Sequence, residues 1–176
     1  LASGLLIVGT GKKTKDISKY SELEKEYEGV MVLGARTASF DTETEITDLK
    51  DYSHVKISDI ENMFQTYIGD QLQKPPMYSA VKHLGKRLYM YAREGQEIIS
   101  KDREVNIGEL KILGCNLPEV SFKVTCSKGT YIRSLVNDIG EKLGCGAYLK
   151  SLTRTRIGQF SVREAFTIEE LTLPKN

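Results

Sequence analysis

Soft and imidazole metal ligands are scarce in this 176-residue chain: three cysteines and two histidines. Cys115, Cys126 and Cys145 form no CxxC pair, and His54 and His83 stand at no metal-ligand spacing from them. A disulfide framework and a metal centre are therefore not expected, and a reducing compartment fits best. No apolar run reaches the length of a membrane span and no signal peptide is evident, so the expectation is a soluble cytoplasmic protein. The chain also lacks a P-loop, a dinucleotide fingerprint and a Ser/His/Asp arrangement, which leaves no sign of a nucleotide cofactor or a hydrolase triad. An excess of one charge is missing too, because 25 Lys and Arg face 24 Asp and Glu.

What the chain has is segregated charge. Residues 74–93 carry Lys74, Lys82, Lys86, Arg87 and Arg93 with no acid, and residues 123–156 carry seven bases against Asp138 and Glu141. Each segment has a balance of +5 in a chain whose total is +1, so the other residues sum to −9. Such separation suits a basic face for a polyanion, although ordinary surface patchiness would look similar.

Strand and helix signals alternate irregularly. Leu5–Val8, Tyr27–Gly34, Val105–Gly114, Glu119–Ser127, Tyr148–Arg156 and Phe160–Arg163 read as strands. Ser58 with Glu61 reads as a capping box for a helix bearing Ile60, Met63, Phe64, Tyr67 and Ile68. Ile132, Leu135, Val136, Ile139 and Leu143 give a second amphipathic helix closed by Gly144, and Thr167 with Glu170 reads as a last cap. Pro75-Pro76 holds residues 73–81 extended, and residues 41–51 read as an acidic, turn-like stretch. Clustered strands favour an α+β fold over a parallel α/β one.

Four segments carry chemistry. Ser127-Lys128-Gly129-Thr130-Tyr131-Ile132-Arg133 is a polar turn between strand and helix, where free helix-start amides can face an anion. A buried arginine at that helix start needs an anionic partner. Residues 76–93 interleave Tyr78, Tyr89 and Tyr91 with Lys82, Lys86 and Arg93, a mixture suited to stacking bases and meeting phosphates, though also found in ordinary amphipathic hairpins. Leu149–Arg156 alternates small or apolar residues with Lys150, Arg154 and Arg156, as either a basic strand face or a charged edge strand would. Tyr27 opens a strand and by itself reads as an ordinary strand residue.

Taken together these words resemble the bacterial tRNA pseudouridine-55 synthases, the TruB family. Ser127–Arg133 followed by Asp138-Ile139-Gly140-Glu141-Lys142-Leu143-Gly144-Cys145-Gly146-Ala147 is similar to that family's signature. Leu1-Ala2-Ser3-Gly4-Leu5-Leu6 resembles the tail of its catalytic motif, and Lys25-Glu26-Tyr27 with Leu33-Gly34-x-Arg36-Thr37 its next motif. Pro75–Lys82 with Gly85–Arg93 is similar to the segment that grips RNA. The resemblance implies a pseudouridine-synthase fold, a mixed and mostly antiparallel sheet with flanking helices. It implies isomerisation of uridine 55 in the T loop of tRNA, with no cofactor and no metal, by a monomer.

By that resemblance Tyr27 stacks near the target base and serves in proton transfer, Tyr131 lines the pocket of the flipped base, and Leu152 forms part of the apolar wall. Arg133 pairs with the nucleophilic Asp and keeps it ionised. That Asp forms a covalent adduct, and the uracil detaches from its ribose, rotates and rejoins through carbon. Lys82, Lys86, Arg93, Lys128 and Arg154 are the expected RNA contacts. The family's Asp lies in Leu-Asp-Pro, directly before the word that matches Leu1. The expectation is therefore a single catalytic domain over 1–176, truncated at its N-terminus, without the family's small C-terminal RNA-binding domain, and inactive alone. Ala38-Ser39-Phe40-Asp41-Thr42 replaces a more acidic family run. Asp41 is set aside as a substitute nucleophile because it follows a different motif, lies in a loop, and nothing in the sequence places it near Arg133. Two alternatives are a non-catalytic RNA-binding fragment and the protein subunit of a guide-RNA-dependent pseudouridylating particle.

Overall fold

The computed structural model describes residues 2–96 and 98–172. The chain forms β1 (Ser3–Gly4), a 3₁₀ turn (Gly11–Asp16), α1 (Ile17–Glu22), β2 (Lys25–Leu33), β3 (Ala35–Thr37) and β4 (Ile46–Leu49). It continues through α2 (Ile57–Thr66), β5 (Gly69–Gln73), β6 (Lys82–His83), β7 (Lys86–Arg87) and α3 (Leu88–Arg93). The last part comprises β8 (Arg103–Asn116), β9 (Glu119–Cys126), α4 (Ile132–Lys142), β10 (Ala147–Ile157), β11 (Phe160–Ser161), a second 3₁₀ turn (Val162–Glu164) and α5 (Ile168–Thr172).

One seven-stranded sheet runs β1-β10-β2-β9-β8-β5, with β11 also on β10. Every pairing in it is antiparallel except β1 on β10. This is the expected α+β architecture. Its register follows the pleat: Val120, Phe122, Val124 and Cys126 alternate along β9 and are buried. Onto that face α4 lays Ile132, Leu135, Val136 and Ile139, and α2 adds Ile60 and Phe64. Each such side chain contributes roughly 1.5–3 kcal/mol on full burial. Phe64 and Phe122 meet edge-on at 6.4 Å between ring centroids. Gly140 makes the close packing of α4 possible, because a Cβ there would sit 2.1 Å from the Ala147 nitrogen. Among the described residues no helix is long and apolar enough to cross a membrane.

Several local expectations fail. Leu5–Val8 is no strand: only Leu5 is buried, while Leu6 and Val8 are 71% and 73% exposed. An apolar run by itself lacks the pairing that makes a strand, and here the chain pairs with β10 only through Ser3 and Gly4 and a last bond from the Leu5 N–H to the Arg154 carbonyl at 2.9 Å. The α2 helix starts at Ile57, one residue ahead of the expected Ser58, and its lead-in bond runs from the Lys56 backbone N–H to the Asp59 carboxylate at 2.8 Å. The expected Ser58/Glu61 box is replaced by that half-box two residues earlier, and Ile68 falls outside the helix. Phe160–Arg163 is a strand only at Phe160–Ser161 before it turns. The acidic stretch at 41–51 contains β4, paired with β3. The Thr167/Glu170 cap is present in both directions, at 2.6 and 3.2 Å.

Candidate active site

A cavity of about 550 Å³ opens where β2, β10, the start of α4 and the loop before β6 converge. Antiparallel register places Tyr27 of β2 directly opposite Arg154 of β10, and both line the cavity. Leu152 lies two residues earlier on β10 and also lines it. Burial raises the Tyr27 phenol above its ordinary range, with a hydrogen bond from Arg154 opposing the shift. Tyr27 is therefore a neutral hydroxyl at physiological pH. Arg154 is anchored in turn, donating through Nε to the Leu5 carbonyl at 2.7 Å.

The turn between β9 and α4 brings in the other half. Gly129 takes φ +79°, a left-handed conformation that glycine adopts without strain, and the Thr130 hydroxyl closes the turn on the Ser127 carbonyl at 2.9 Å. Gln73, buried at the end of β5, clamps Tyr131 by accepting its N–H at 2.7 Å and donating to its carbonyl at 3.1 Å. The clamp fixes where Tyr131 and Arg133 stand. It also takes up an amide that the sequence suggested was open to an anion.

Arg133 finds its anionic partner in Asp41. Its Nη1 donates to Asp41 Oδ2 at 3.1 Å and to the Ser39 carbonyl at 3.4 Å, and Nη2 donates to the Tyr78 carbonyl. One sequence-based reason for setting Asp41 aside, its lack of any link to Arg133, is thus overturned: the two residues are 92 positions apart and in contact. The loop between β3 and β4 delivers Asp41. Phe40 adopts φ 65°, which costs a non-glycine residue on the order of 1–2 kcal/mol. Its carbonyl accepts the Leu149 N–H of β10 at 2.9 Å, tying the loop to the sheet. Asp41 Oδ1 accepts from the Ser39 hydroxyl at 2.6 Å and the Glu43 N–H at 3.0 Å. The Thr37 hydroxyl donates to the Asp41 carbonyl at 2.7 Å. Asp41 is only 7% exposed, and both its carboxylate oxygens are occupied.

The cavity therefore gathers Tyr27, Tyr131, Arg133, Leu152, Arg154 and Arg93 of the residues picked from sequence. Lys82, Lys86 and Lys128 lie outside its lining. Lys86 pairs with Glu94 at 2.6 Å and sits 4.6 Å from the centroid of the Tyr91 ring. Lys128 pairs with Glu22. The cavity also includes Tyr78 and Tyr89 from the aromatic and basic segment, Asp41, which the sequence reading set aside, and Glu43 and Ser79, which it did not single out. The signal that points to Asp41 is Arg133 itself, whose burial demands a carboxylate.

Comparison with known proteins gives the family. A family model described as TruB family pseudouridylate synthase (N terminal domain) matches residues 1–132, and one described as tRNA pseudouridylate synthase B C-terminal domain matches 133–174. The seam between them falls inside α4, which packs as one helix against the sheet. A tRNA pseudouridine synthase B from Chloroherpeton thalassium is 48% identical over 97% of this chain, which spans 71% of that relative. The corresponding protein of Burkholderia lata is 46% identical over 98% of this chain, which spans 53% of it. Among solved structures, a Cbf5-Nop10-Gar1 complex aligns at TM-score 0.62 and 27% identity, covering 85% of this chain and 35% of the other. The chain belongs to the TruB family of pseudouridylate synthases.

Proposed function

We propose that this chain supplies the base-binding and charge-holding part of a synthase that isomerises uridine 55 of tRNA to pseudouridine. It acts as a cytoplasmic monomer on the T-arm stem-loop, without cofactor or metal. The observation that carries the reading is the convergence of Tyr27, Tyr131, Leu152 and a clamped Arg133 on one cavity of about 550 Å³. A base can react there only after leaving its stack, at a cost of a few kcal/mol, and aromatic and apolar walls offset that cost. Tyr131 and Leu152 provide such walls. Tyr27, kept neutral by burial, is a proton donor within the same cavity.

Arg133 has the capacity for the role the resemblance gives it. A guanidinium carries five N–H donors, and its bonds to Asp41, Ser39 and Tyr78 use three. The remaining donors can hold a second carboxylate, the nucleophile of Leu-Asp-Pro, ionised in a site that would otherwise push it towards neutrality. Arg93 and Arg154 face the same cavity and suit phosphates flanking the flipped nucleotide. The test is to incubate the protein carrying its Leu-Asp-Pro segment with unmodified tRNA and no guide RNA, then map pseudouridine. Conversion confined to position 55 is expected. No conversion, or conversion only with a guide RNA, would remove the reading.

A further inference from the structure

Ser79 is 4% exposed, lines the cavity, and carries a hydroxyl that is buried without a hydrogen-bond partner among the described residues. Its backbone is already committed: the N–H donates to the Met77 carbonyl at 2.9 Å, and the carbonyl accepts from the Tyr89 N–H at 3.1 Å. Its neighbour Tyr78 gives its carbonyl to Arg133. The segment is therefore pinned against the same guanidinium that Asp41 holds, and its buried side-chain polar atom left without a partner among the described residues is Ser79 Oγ. A buried hydroxyl without a partner is costly, so a folded chain normally pairs it or replaces it. Here the missing partner has an evident place to stand.

We propose that Ser79 is a further substrate-contacting residue, whose hydroxyl pairs with the polar edge of the uracil base once that base enters the cavity. The inference rests on the nucleoside-pocket reading given above. Uracil suits the position because it presents carbonyl acceptors and an imide N–H, and a serine hydroxyl serves as either donor or acceptor. Ser79 lines the cavity, and rotation about its Cα–Cβ bond between staggered wells can carry Oγ towards it. Tyr131 and Leu152, which line the same cavity, suit a flat base.

The experiment compares Ser79→Ala and Ser79→Cys with the unmodified protein. Two T-arm stem-loops serve as ligands, one with uridine at the target position and one abasic there. Thermal melting is followed in parallel. The alanine variant should melt at or above the parent, because it removes an unpaired buried hydroxyl. It should bind the uridine stem-loop about 5- to 10-fold more weakly, the effect of one neutral hydrogen bond of about 1 kcal/mol, and the abasic one equally well. Cysteine, a poor donor of similar shape, should resemble alanine. Equal loss on both ligands, a lowered melting temperature, or undiminished uridine binding would each overturn the role. If the parent itself fails to distinguish uridine from abasic RNA, the nucleoside-pocket reading falls, and the Ser79 inference falls with it.

Discussion

At the scale of single residues, the Asp41–Arg133 pair decides how the site is held. Its side chains are 10% and 18% exposed, so the pair is largely desolvated and either member alone would be an uncompensated charge. Arg133→Lys keeps the charge but loses the planar fork that reaches Asp41, Ser39 and Tyr78 together. Removing one charge-assisted hydrogen bond costs roughly 1.5–3 kcal/mol, or about 10- to 100-fold in rate when the bond matters in the transition state. The expected outcome in the active protein is a fall of that size in single-turnover rate with tRNA affinity nearly intact, since phosphate contacts elsewhere supply most of the binding. Asp41→Asn should act on the same step by releasing the guanidinium. The two residues touch, so the double variant should lose much less than the product of the single losses. Multiplicative losses would show that Asp41 and Arg133 work separately, and matching losses in affinity would place Arg133 among the binding groups.

At the scale of elements, the sequence is most readable where periodicity and burial agree. The stripe Ile132, Leu135, Val136 and Ile139 and the alternation along β9 specify helix, strand and buried face together. Leu5–Val8 misleads because apolar content alone does not supply a partner strand. The Asp41–Arg133 contact is not legible for a different reason: it depends on a left-handed Phe40 and a loop bridged to β10, and no local pattern encodes either. The hairpin of β6 and β7 lies between these cases. Its basic and aromatic residues are visible in the sequence, but their present partners are not. Leu84 and Gly85 turn it with φ 48° and 85°, and α3 follows directly, with Arg93 5.3 Å from the centroid of the Tyr89 ring. Replacing Lys82, Lys86 and Arg93 by Ala should weaken RNA binding and flatten its salt dependence by about one log–log unit for each phosphate no longer neutralised. Lys86 already has a carboxylate, Glu94, at 2.6 Å. Phosphate must displace that partner, so Lys86→Ala alone should change the slope less than Lys82→Ala. An unchanged slope in the triple variant would remove this hairpin from the RNA-binding surface.

At the scale of the whole molecule, the described chain holds walls, a neutral phenol and a clamped guanidinium around one cavity, while the buried carboxylate there, Asp41, is poorly placed to attack. Asp41 gives Oδ1 to the Ser39 hydroxyl and the Glu43 N–H and Oδ2 to Arg133, so both oxygens are already engaged by donors. A carboxylate so fully hydrogen-bonded is weakened as a nucleophile and well suited to orienting its partner. The Leu-Asp-Pro of the family motif is not among the 176 residues. On the proposed reading the labour divides: these residues supply RNA affinity, and the aspartate of the Leu-Asp-Pro word supplies the covalent chemistry. The 176-residue chain should bind the T-arm stem-loop with a salt-dependent affinity and form no pseudouridine. Adding the Leu-Asp-Pro segment, in cis or as a docking peptide, should restore conversion, and the same segment carrying Leu-Asn-Pro should dock without restoring it. Isotope release from tritiated uridine, read beside binding on the same preparations, separates the two abilities. Turnover by the unsupplemented chain would make Asp41 the nucleophile after all, and its abolition by Asp41→Asn would establish that role.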